Sequence, residues 1–157
     1  MARVEARALP DGAFLHAYRE RGAYTDCYAI ELPRAISFEQ YVAAFYTTWV
    51  FRTERLILRL VDRPSTGEQA RALASGAIDR FAAWNVEQRG DDQMLLTDNV
   101  RWRTRSWLMI RALDAGSTRL YFGSAVVPMG QPFQALIGFH QLYSRILLGA
   151  AAKKLSR

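Results

Sequence analysis

Two runs of alternating residues flank Asp114-Ala115-Gly116, and no other feature of the chain restricts its fold as strongly. In the first run Trp102, Thr104, Ser106, Leu108 and Ile110 share one face. The opposite face carries Arg101, Arg103, Arg105, Trp107, Met109 and Arg111. In the second run Leu120, Phe122, Ser124 and Val126 share a face. A three-residue connection with Gly116 in the left-handed conformation suits the turn. It pairs Ile110 with Leu120, Leu108 with Phe122, Ser106 with Ser124 and Thr104 with Val126. A slip of one residue would set this apolar face against the other one, so patterning and turn chemistry demand the same register. The chain is thereby committed to an antiparallel sheet.

The other segments are compatible with such a sheet. Tyr24, Asp26, Tyr28, Ile30 and Leu32 alternate as a strand that Pro33 ends. Ser37-Phe38-Glu39-Gln40 is a capping box, and Phe38, Tyr41, Val42, Phe45 and Trp49 recur behind it at helical spacing. Leu56, Ile57, Leu60 and Val61 predict a second helical face before Pro64, and Ser65-Thr66-Gly67-Glu68 reads as a second capping box. The helix after it buries Ala70, Leu73 and Ala74 and ends near Gly76. Period two returns from Phe81: Ala82, Trp84 and Val86 share a face, Gly90-Asp91-Asp92 is a turn, and Met94 and Leu96 belong to the next strand. Pro132 opens a last helix reaching about Leu155. Its apolar stripe runs through Phe133, Leu136, Ile137, His140, Tyr143, Leu147, Ala150 and Ala151, with Gln134, Gln141 and Arg145 opposite.

The chain has 157 residues, 50% apolar and 23% charged, as an ordinary single domain over 1–157 has; residues 1–22 show no clear pattern. The one cysteine, Cys27, excludes an internal disulfide and a cysteine-built zinc cluster, and reads as a small buried hydrophobe. A start without the basic-then-apolar order of a signal peptide, and the lack of any apolar run of membrane-spanning length, point to the cytoplasm. The net charge of +6 comes from scattered arginines rather than a basic, aromatic face, so nucleic acid is not expected as a partner.

The order of one strand, two or three helices, a run of antiparallel strands and a long final helix resembles the START-like helix-grip superfamily. That superfamily includes lipid-transfer domains, polyketide cyclases and the birch-pollen-allergen fold. A narrower likeness lies in Asp98-Asn99-Val100-Arg101-Trp102-Arg103-Thr104 and in Tyr121–Leu147, with Pro132-Phe133 and Gly138-Phe139-His140. Together they look like an uncharacterised bacterial family of that superfamily. Its pattern ends in a proline-phenylalanine-histidine run; here a glycine precedes the Phe-His pair, so the match is diverged. The resemblance implies a curved sheet wrapped on the last helix and a cavity between them. It implies no reaction, because this fold hosts binders, carriers and enzymes alike.

His140, on the apolar stripe, is either a hydrogen-bonded core histidine or a ligand-contacting or acid/base group. Asp26 is either an exposed carboxylate at a strand end or, if it lies inside the cavity, a group that needs a partner such as His140 or an arginine. Thr104, Ser106 and Ser124 place hydroxyls among apolar neighbours, where they pair with one another or line a partly polar pocket. Arg101, Arg103 and Arg105 read as a solvated stripe or an anion-binding face, and Trp107 with Met109 on that face needs a cover, a neighbouring chain being one source. No metal is expected, since His16 is remote from His140 and no H-E-x-x-H spacing occurs. Serine-hydrolase and phosphate-binding glycine motifs are absent, so no cofactor is expected.

The fold class expected is α+β, with a curved antiparallel sheet and a long C-terminal helix. The leading function is binding of a small hydrophobic molecule. Phe45, Trp49, Trp102, Leu108, Phe122 and Tyr143 would form apolar walls, and Thr104, Ser106, Ser124 and His140 would orient the ligand. The alternatives are a cyclase- or hydratase-like enzyme using His140, with Asp26 as a second candidate, and a structural or interaction protein with a filled core. Whether the chain is an enzyme, and whether it forms a homodimer, stay open at this point.

Overall fold

The computed structural model describes residues 2–48, 66–81, 84–98, 103–127 and 133–157, with residues 115 and 133–139 described by backbone alone. Seven strands form one open antiparallel sheet: β1 (Glu5–Ala6), β2 (Tyr24–Leu32), β3 (Arg80–Phe81), β4 (Trp84–Arg89), β5 (Gln93–Asp98), β6 (Thr104–Ala112) and β7 (Thr118–Val126). Their spatial order is β1-β2-β7-β6-β5-β4-β3. Among the described residues there are four α-helices: α1 (His16–Glu20), α2 (Phe38–Tyr46), α3 (Gly67–Ser75) and the C-terminal α4 (Phe133–Leu155). The protein is therefore α+β. None of these helices is long and apolar enough to cross a membrane.

The central hairpin has the register that its turn and patterning require: Thr104 faces Val126, Ser106 faces Ser124, Leu108 faces Phe122 and Ile110 faces Leu120. Gly116 sits at φ +75°, where a side chain would be strained. Because β2 pairs with β7 and β5 with β6, Asp26, Ser124, Ser106 and Leu96 form one row across the sheet. Side chains in a row share a face, so this row brings three polar residues together beneath the helices.

One core fills the space between that face and the helices. Tyr41, Val42 and Phe45 of α2, Leu73 of α3 and Leu148 of α4 are buried there against Leu96, Leu108 and Leu120. Tyr41 also donates its hydroxyl to the Tyr121 carbonyl at 2.9 Å, which fastens α2 to β7. Ser37 and Gln40 form the expected capping box on α2. On α3 the box stands one residue later than expected. Thr66, not Ser65, caps the helix, and its partner is Gln69 rather than Glu68. Arg89 closes the other end of α3 by donating to the Leu73 carbonyl at 3.0 Å.

A second core lies on the other face, where the segment holding α1 covers Trp107, Met109, Tyr121 and Cys27 with Ala13, Leu15 and Tyr18. The cover of Trp107 is thus this chain's own N-terminal segment rather than a neighbour. Gln93 anchors it: its Oε1 accepts from the Phe14 amide and Trp107 Nε1, each at 2.9 Å, and its Nε2 donates to the Gly12 carbonyl.

Two further elements depart from the expectation. The run from Phe81 to Val86 is not one strand, because Phe81 pairs with Trp84 across two antiparallel strands. On α4 the buried face includes Ser144, Leu148 and Ala152 beside Leu147 and Ala151. The helix packs on both α2 and the sheet, and so buries a wider arc than a single stripe. Leu56, Ile57, Leu60 and Val61 lie outside the described residues.

Candidate functional site

A cavity of about 290 Å³ lies between the sheet and α4. Phe45 and Phe122 form an apolar wall, their rings 4.8 Å apart between centroids. Trp84, Tyr143 and Leu147 add further apolar surface. Thr104, Ser106, Ser124, His140 and Ser144 supply the polar lining, with Asp98 at the end of β5.

The sequence-derived candidates divide accordingly. Phe45, Thr104, Ser106, Phe122, Ser124, His140 and Tyr143 all line this one cavity. Leu108 does not; it is fully buried in the core, one rung along the sheet from Ser106. Trp49, Trp102 and Arg101 fall outside the described residues. Trp84, Asp98, Ser144 and Leu147 were not singled out as site residues. Ser144 was visible in principle, four residues after His140 and three before Leu147, but a serine is easily passed over in an apolar stripe.

Asp26 stands directly behind the lining. Its Oδ1 accepts from the Ser124 amide at 2.9 Å and its Oδ2 from the Tyr24 hydroxyl at 3.1 Å. Tyr24 in turn accepts from Gln141 Nε2 of α4 at 2.9 Å. Gln141 is therefore not on a free outer face, but ties the last helix to β2. Burial pushes the Tyr24 hydroxyl up to about 12, so it remains a donor at neutral pH. Burial also raises the Asp26 carboxyl, opposed by the charge of nearby His140 and by the hydrogen bonds from Tyr24 and Ser124. For His140 burial lowers the imidazole below its ordinary value, and the negative charge of Asp26 partly restores it. An acid behind the lining and a base within it thus sense each other's charge, each destabilised in its charged form by burial.

Two polar atoms of the lining, His140 Nε2 and Ser144 Oγ, are buried and have no hydrogen-bond partner among the described residues, whereas the Ser124 hydroxyl lies within reach of the Asp26 carboxylate. A helical serine ordinarily returns its hydroxyl to the carbonyl one turn back; Ser144 does not. Neither Ser124 nor Ser144 is hydrogen-bonded to His140 Nε2.

The remaining candidates offer the cavity no free functional group. Arg105 contributes to its wall, but its guanidinium is held elsewhere, by Glu87 at 2.8 Å and by the Tyr18 hydroxyl at 2.8 Å. The Arg103 amide donates to Asp98 Oδ2. His16 bonds the Pro10 carbonyl within the N-terminal segment. Burial pushes the Cys27 thiol up to about 12, which leaves it an inert core group. Among the described residues no group of three or more histidine, cysteine or acidic side chains is arranged so that it could hold a metal ion. No protein-family model, curated protein or solved structure matches the chain.

Proposed function

We propose that the protein binds a small, mainly apolar molecule noncovalently between its sheet and its last helix. The observation that carries this reading is the coincidence of an apolar cavity with two buried polar atoms in its wall, His140 Nε2 and Ser144 Oγ, that have no partner among the described residues. Buried polar groups are paired in the great majority of cases, because each unpaired one costs about 1–3 kcal/mol. A ligand carrying a polar group removes that cost. Apolar walls with a few converging polar groups are also the usual makeup of a ligand site.

The size of the cavity narrows the candidates. About 290 Å³ is the share of roughly ten liquid waters, at the lower edge of drug-sized pockets. A single ring or a short branched chain matches this volume. The element order and the cavity are compatible with a helix-grip domain, and we read the fold as one. The cavity also speaks for binding over a centre that is packed shut.

An NMR titration with toluene tests the proposal. Saturable shifts confined to amides near Phe122, Ser124, Tyr143 and Leu147 are expected. Shifts that are absent, or spread over the surface without saturation, would remove the basis for it.

A further inference from the structure

We propose that the occupant of this cavity is a neutral molecule bearing a hydroxyl group, a phenol or a small alcohol, whose hydroxyl bonds His140 Nε2 and Ser144 Oγ. The inference rests on the binding function proposed above and specifies its ligand.

The chemistry of the polar wall decides the class. Ser124 and Ser144 each offer one donor and two acceptor positions, and a neutral imidazole offers one of each. His140 Nε2 is a donor in one tautomer and an acceptor in the other. A hydroxyl both donates and accepts, so it satisfies Nε2 in either tautomer and a serine at the same time. A hydrocarbon satisfies neither, and leaves His140 Nε2 and Ser144 Oγ unpaired. A carbonyl serves only the tautomer with a proton on Nε2.

The charges near the cavity argue against an anion. Among the described lining residues the one arginine, Arg105, has its guanidinium committed to Glu87 and Tyr18. Asp98 lines the cavity and Asp26 lies behind Ser124. Burial lowers His140 below its ordinary value and so disfavours a charged imidazolium here. A carboxylate entering here would lose its hydration without meeting a free cation among the described lining residues, which is strongly unfavourable.

Calorimetric titration of the full chain with three shape-matched probes, p-cresol, p-xylene and 4-methylbenzoate, tests the inference. p-Cresol is expected to bind about tenfold or more tighter than either of the others, the size of one well-made hydrogen bond with the unpaired cost removed. Ser144→Ala should reduce the cresol-to-xylene ratio several-fold, with xylene affinity unchanged or raised. His140→Phe should do the same, and Ser144→Ala stands alone if the histidine variant does not fold. Equal binding of p-xylene and p-cresol would overturn the hydroxyl assignment and leave the binding function standing. Tightest binding of 4-methylbenzoate would overturn the neutrality of the ligand. Binding of none of the three would overturn both the inference and the function on which it rests.

Discussion

Asp26 accepts a hydrogen bond from the backbone amide of Ser124, its direct partner across β2 and β7, at 2.9 Å. The bond places a carboxylate behind the cavity wall and beside His140. It is also the reason that an acid can occupy an otherwise apolar strand face: a buried carboxylate needs donors, and here an amide and the Tyr24 hydroxyl supply them.

The first expectation concerns titration of this pair. Burial lowers His140 from its ordinary 6.5 and Asp26 opposes that shift. Removing the charge by Asp26→Asn should therefore lower the histidine further, and NMR titration of the His140 ring reads it directly. The folded pKa lies below the unfolded one, so the stability His140 contributes is present above pH 6.5 and is lost as pH falls toward the folded value. The raised Asp26 acts in the opposite sense: its burial destabilises the fold as pH rises through and above 3.8. A histidine that titrates at or above 6.5 in the wild type would refute this electrostatic picture.

A second expectation follows from Gly123. A Cβ there would lie 2.6 Å from the Asp26 carbonyl and 2.9 Å from Trp107 Cε3, so the strand cannot accept one without moving. Gly123→Ala should destabilise by about 1–3 kcal/mol, as overpacking does. Denaturant midpoints measure it, and an unchanged midpoint would mean that β2 and β7 are less closely apposed.

The two faces of the sheet differ in how far they were legible in the sequence. The β6–β7 register, the limits of β2 and the capping box on α2 all rest on local rules: period two, a glycine in the left-handed region, and side-chain-to-amide bonds within one turn. The cover on Trp107 rests on none of these. It depends on Gln93 meeting Phe14 and Gly12 about eighty positions earlier in the chain, a contact with no local signature. Ser144 escaped notice for a related reason, since a polar residue in a stripe acquires meaning only when the neighbouring cavity is seen.

Gln93→Leu provides a third test. It removes one acceptor and one donor, and leaves the Phe14 amide, Trp107 Nε1 and the Gly12 carbonyl without their partner. A loss of about 3 kcal/mol is expected, within the range for several unsatisfied groups. Trp107, now fully buried, should shift its fluorescence toward the red as the N-terminal segment loosens. An unshifted spectrum with unchanged stability would count against the segment as a cover.

Serines at two places should respond in opposite ways. Ser37→Ala removes a cap and should cost about 1 kcal/mol. Ser144→Ala removes a hydroxyl that has no partner, so the unliganded protein should be unchanged or up to about 1 kcal/mol more stable. A gain in stability with a loss of ligand affinity is the signature of a residue kept for binding. A large destabilisation by Ser144→Ala would show that its hydroxyl has a structural partner.

Native mass spectrometry of the purified chain, with and without excess p-cresol, bears most directly on the cavity as a ligand site. The expected result is either a co-purifying small neutral compound or a single added equivalent of cresol, lost on Phe122→Trp, which fills the space. A clean unliganded mass that persists under excess cresol would contradict the account.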